Sequence, residues 1–114
     1  MTAKYWQKGE VLDYKASAAV KNGEVVSLGT RIGVAGEDIA AGTGHLHVVG
    51  VFEMEKAAGA MTMGAAVYYD ETAKKITTVA STGESSSKVN NIPAGYAAAP
   101  AASADENVLV KLLG

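Results

Sequence analysis

The 114-residue chain contains no cysteine. That excludes a disulfide framework, a thiolate metal site and a thiol nucleophile, and it fits assembly in a reducing cytoplasm. Large side chains are scarce: one tryptophan, one phenylalanine and five tyrosines stand among abundant glycine and alanine. One domain of this length buries roughly two thirds of its unfolded surface, and so thin a core implies that partner contacts share the stabilisation. Charge is balanced, with 10 basic and 12 acidic residues for a net −2, so there is no basic face for nucleic acid. No apolar run approaches the ~20 residues of a membrane-spanning helix. Residues 1–9 carry charge and two aromatics without an apolar core run, which is not the pattern of a secretory signal.

What is present alternates with period two. Short segments rich in Val, Ile and Tyr are separated by Gly, Asn and Asp, which predicts strands at 10–14, 24–28, 30–35, 45–52, 66–69, 75–79, 92–97 and 108–113. Lys21-Asn22-Gly23 supplies a turn, because Asn-Gly adopts positive φ readily. Residues 37–44 read as a connection carrying one inward side chain, Ile39. Asp70-Glu71-Thr72-Ala73 closes a hairpin. The polar stretch 80–91, centred on Ser85-Ser86-Ser87, reads as a mobile loop. Residues 56–64 have room for one helical turn, and a longer helix over 57–69 is opposed by Gly59 and Gly64. The pattern predicts an all-β, single-domain barrel or sandwich of about eight short strands, with at most one or two short helices. Residues 1–9 form an extended arm and 10–114 the β domain.

Chemical motifs fail on inspection. Gly59 and Gly64 have the outer spacing of a phosphate-binding loop, but Ala65 and Ala66 stand where Lys and Ser or Thr are needed. Gly42-Thr43-Gly44 opens like a dinucleotide fingerprint, yet a strand follows instead of a helix whose N-terminus would hold a pyrophosphate. His45 and His47, two apart on a strand, share a direction but lack a third ligand. No Gly-x-Ser-x-Gly elbow exists, and the acidic pairs sit in turns. No catalytic residue, metal site or cofactor is assigned.

Exposed apolar material remains. Tyr5 and Trp6 are adjacent on an extended arm and point opposite ways, so only one packs easily on its own domain. Together with Gln7 they form a candidate docking element, since Trp and Tyr bury much area at little entropic cost. The competing reading makes this segment a strand closing the domain. Met54, Met61 and Met63 form a second candidate surface, with core filling as the ordinary alternative.

Tyr5-Trp6-Gln7-Lys8-Gly9-Glu10-Val11-Leu12-Asp13-Tyr14 resembles the opening of a family of small phage capsid decoration, or cement, proteins (DUF2190). The likeness continues through Val20-Lys21-Asn22-Gly23-Glu24, Ile32-Gly33-Val34-Ala35, Val49-Gly50-Val51-Phe52-Glu53-Met54 and Gly64-Ala65-Ala66-Val67-Tyr68-Tyr69-Asp70. It ends in Ala94-Gly95-Tyr96-Ala97 and residues 108–114. Each piece is common; their order along the chain is distinctive. Residues 84–91 depart from the pattern as a polar insert. The resemblance implies an all-β structural protein of the virion without catalysis. It would be made in the host cytoplasm and bound outside a tailed-phage capsid, with the major capsid protein and its own copies, as homotrimers, for partners. A carbohydrate- or receptor-binding β module of the virion surface is the alternative, weakened by the single tryptophan.

Overall fold

A computed structural model describes residues 2–82 and 89–113. No helix occurs among the described residues. Strands β1 (Val11–Ala16), β2 (Val25–Ser27), β3 (Ile32–Ala35) and β4 (Gly42–His47) form a four-stranded sheet in the order β1-β4-β3-β2. Strands β5 (Val49–Glu55), β6 (Ala66–Asp70), β7 (Lys75–Thr77), β10 (Ile92–Ala97) and β11 (Asn107–Leu113) form a five-stranded sheet in the order β5-β11-β10-β6-β7. The short strands β8 (Ser81–Thr82) and β9 (Val89–Asn90) make a two-stranded ribbon. Every strand pairing is antiparallel. The all-β expectation holds, and of its two forms the sandwich is the one found.

The expected strand over 45–52 is two strands. Val48 is buried between them, and its amide donates to Glu10 O at 2.9 Å. The chain leaves one sheet there and enters the other, and Gly50, at φ 132°, takes the bend. Period-two alternation registers apolar spacing but not a change of sheet, so this break is silent in the sequence.

Both faces of β3 are buried. Ile32 and Val34 join the larger core with Val67, Ile76, Val108, Val110 and Leu112 of the opposing sheet. Ala35 turns to the second core with Ala16, Val26, Ile39 and Leu46. Ile39 is therefore inward, as expected, and it seats directly over Gly44. A Cβ added there would lie 2.4 Å from Ile39 Cγ1, too close for any side chain.

Turn chemistry follows the residue types. Gly23 sits at φ 86°, and Asn22 N donates to Asp38 Oδ1 at 2.8 Å. Asp70 Oδ1 accepts from Thr72 N and Ala73 N at 3.0 and 3.2 Å, closing the β6–β7 hairpin. The helical turn considered for residues 56–64 does not form. Gly59 and Gly64 have φ of 111° and 89°, outside the helical range. Met61 instead exchanges two 2.9 Å backbone hydrogen bonds with Ala101. The region expected to be a loop at 80–91 is partly paired as β8–β9. Its base is pinned by buried Asn91, whose Nδ2 donates to Val79 O at 2.8 Å. Ser85, Ser86 and Ser87 lie outside the described residues.

β10 carries an irregularity between Pro93 and Gly95 in its register with β6. Gly95 has φ 142°, and a Cβ built on it would fall 1.9 Å from Lys111 O of β11. Both the conformation and the space exclude a side chain. We expect Gly95→Ala to cost about 3 kcal/mol or more, lowering the melting temperature by about 10 °C or more. Thermal melting of the variant checks this, and an unchanged melting temperature would contradict the described packing.

Candidate interaction site

The arm precedes the first strand. Residues 2–8 are exposed and unpaired as strand, with Tyr5 80% and Trp6 83% exposed. Gln7 lies exposed beside them. Gly9, at φ 81°, separates the arm from β1. The alternative reading of this segment as a closing strand is not what the fold adopts. Two large aromatics in water are an uncovered apolar surface with polar handles, the composition of a binding element.

The three methionines part company. Met54, on β5, and Met61 are 6% and 3% exposed and fill the larger core. Neither protrudes from the surface, and their ordinary role as core filler is the one the packing gives them. Met63 is 70% exposed, just after the Met61–Ala101 bridge.

A surface not anticipated lies on the outer face of the five-stranded sheet. The β5–β11 register pairs Val49 with Leu113, Val51 with Lys111 and Glu53 with Leu109. Residues directly opposite share a face, so exposed Val51, Leu109 and Leu113 form one apolar patch there. The available sequence signal was weak: apolar residues occupy both parities of these two strands, which marks a strand apolar on both faces.

The two histidines do not converge on a shared site. His45 Nδ1 lies 2.7 Å from Glu37 Oε1, and its Nε2 lies 3.4 Å from Asp13 Oδ1 on β1. The ring of His47 is tilted against Phe52, with centroids 5.9 Å apart. Among the described residues no group of three or more His, Asp or Glu is set to hold a metal ion. The glycine-rich segment is likewise committed to structure. Met61 N donates to Ala101 O, Gly64 N to Ala97 O and Ala65 N to Thr62 O, so these amides are not gathered into an anion cradle.

One cleft of about 480 Å³ opens where β2 and β3 face β5, β6 and β7. Buried Val34, Met54, Tyr69 and Ile76 make its floor, and half-buried Val25 and Phe52 its walls. Glu24, Glu55 and Lys74 stand exposed at its rim. Burial raises the Tyr69 hydroxyl above its ordinary pKa of 10.0, and the surrounding carboxylates, Glu71 and Glu24 foremost, push it further. The phenol stays neutral and available as a hydrogen-bond donor. Sequence reading missed this cleft because six strands far apart along the chain contribute to it.

The His45 cluster is exposed and titrates. Its hydrogen bond with Glu37 raises the pKa above 6.5, against a smaller opposing effect of desolvation, and the charges of Glu37 and Asp13 add to the rise. Stability from this contact is therefore full below pH 6.5 and is lost as pH climbs through the raised folded-state value. We expect His45 to titrate above 6.5 by NMR, and Glu37→Gln to return it toward 6.5. A wild-type midpoint at or below 6.5 would contradict the contact.

The model of one protein family, described as phage cement protein, matches residues 6–112. Comparison with curated proteins and with solved structures gave no match. The match begins at the arm's tryptophan and runs into the last of the described strands, ending at residue 112. With the two-sheet sandwich and the uncovered aromatic arm, it places the chain in the family of phage cement proteins, structural components associated with the phage capsid.

Proposed function

We propose that the protein binds the outer surface of a tailed-phage capsid and stabilises the shell, with the major capsid protein as its partner. The single observation that carries this reading is the family match over residues 6–112. The exposed arm supports it. Trp6 and Tyr5 stand in water on the isolated subunit, and a capsid or a neighbouring copy would cover them.

A cement acts by linkage. It binds the mature shell better than the precursor or the disassembled subunits, and that difference in affinity stabilises the shell. No bond is made or broken, so no catalytic group is required. One small subunit presents roughly 800 Å² to a partner, enough for only moderate affinity once the entropic cost of association is met. Assembly as a homotrimer makes the second and third contacts effectively intramolecular and multiplies the affinity. Synthesis in the host cytoplasm, away from oxidants, suits a chain without cysteine.

Within this reading Tyr5, Trp6 and Gln7 carry the principal contact and Met63 a lesser one. The partner's contacts with Met54 and Met61 would be indirect, through the core those residues support.

Sedimentation with undecorated mature capsids tests the proposal. At micromolar concentration the protein should pellet with the capsids and raise their melting temperature, whereas protein left in the supernatant would overturn it. Trp6→Ala should keep the subunit's own melting temperature, because the side chain is 83% exposed. It should weaken capsid binding by roughly thirtyfold, the effect of truncating a hot-spot aromatic.

A further inference from the structure

We infer that the cleft between the two sheets is the receptor for the N-terminal arm of a second copy, with Trp6 seated on its apolar floor and Lys4 and Lys8 at its acidic rim. This rests on the reading of the arm as a docking element and supplies that element with a specific receptor.

Charge identifies the occupant. The arm, residues 2–8, holds two lysines and no acidic residue. The cleft rim holds two glutamates, Glu24 and Glu55, and one lysine, a net −1. The chain as a whole is net −2, so a positive arm is a local exception and is complementary to this acidic cleft. Lys4 and Lys8 flank the aromatic pair, as Glu24, just before β2, and Glu55, at the end of β5, flank the apolar floor. Ion pairs at such a rim act mainly on encounter rate and register.

Size and chemistry agree. The cleft's volume of about 480 Å³ lies within the roughly 300–1,000 Å³ of pockets that enclose a ligand with aromatic groups. Val25, Val34, Phe52 and Met54 offer an apolar and aromatic surface. An indole there gains ring contact with Phe52 and sulfur contact with Met54, and Tyr69 and the rim carboxylates supply polar partners for the arm.

The subunit's own arm is not the occupant in this structure, since Tyr5 and Trp6 are both exposed. Each copy therefore offers one arm and one cleft, which makes the contact heterologous. Such contacts close into a ring when the rotation permits, and a ring of three satisfies every arm and every cleft.

Trp6 is the sole tryptophan, so its fluorescence reports the arm alone. The test follows the emission and sedimentation of the full chain from about 1 μM to about 1 mM, the range of a weak single contact. We expect a blue shift with concentration, in step with assembly. Reversing the rim (Glu24→Lys with Glu55→Lys) or the arm (Lys4→Glu with Lys8→Glu) should weaken assembly by about tenfold or more. All four positions are exposed, and circular dichroism verifies that the variants fold. Combining both reversals in one chain should restore assembly, because every reversed arm then meets a reversed rim.

Three results would overturn the inference. Emission could stay that of water-exposed indole throughout the range. It could be blue-shifted at every concentration in a monomer, which puts the arm on its own body. It could respond to concentration but to neither reversal, which puts the arm elsewhere on the neighbour. Capsid sedimentation is read separately. Assembly that obeys the charge reversals supports this inference even where capsids fail to bind, a result that would count against the capsid reading alone.

Discussion

Burial of β3 on both faces is the constraint from which the rest of the structure follows. Four residues, Ile32–Ala35, serve two cores at once: Ile32 and Val34 pack on the five-stranded sheet, and Ala35 packs on the layer beneath Ile39 and Leu46. A half-buried strand tolerates a polar outer face, but this one does not. The small residues are equally required. A Cβ at Gly33 would press on Leu46 at 3.2 Å, and one at Gly44 would collide with Ile39. The four-stranded sheet is thus held by close approach of small residues, and its bulk comes from covering segments such as the Val20–Ile39 bridge. With little volume in the second core, the subunit has few large side chains to spend on anything but packing. Trp6 and Tyr5 are left outside all the same.

How far this could be read from the sequence depended on whether the signal was local. β10 at Ile92–Ala97 falls where alternation places it, and the inward set Val108, Val110 and Leu112 is buried as period two requires. The Asn22–Gly23 and Asp70 turns rest on side-chain and backbone chemistry within a few residues, and both form. The crossing at Val48 carried no such signal, because a strand that changes sheets keeps its alternation on either side. Met54 and Met61 show the same limit. Methionine suits a core and an interface equally, and only the tertiary arrangement puts these two inside and Met63 outside. The cleft was the least legible feature, since its lining is assembled from six strands. The arm was more legible: adjacent aromatics before the first strand cannot both turn inward.

These features bear on how a small protein holds a large shell. A subunit with a thin core has little stability of its own to contribute, so shell stabilisation must come from contacts made on assembly. On the proposed reading, an arm that orders on docking would lose conformational entropy at that moment, which would keep free subunits from associating tightly away from the capsid. A pre-formed cleft on a rigid sandwich reduces that cost on the receiving side. The apolar patch of Val51, Leu109 and Leu113 lies on a different face from the inter-sheet cleft, so one subunit has room for more than one contact.

The central claim is the proposal that this protein sits outside the capsid with its aromatic arm covered there by protein. Cryo-electron microscopy of mature capsids incubated with the purified protein tests it most directly. The account predicts added density of sandwich shape on the outer surface, with residues 2–8 ordered and Trp6 enclosed by protein. Capsids without added density, or with the sandwich bound while Trp6 still faces solvent, would contradict it.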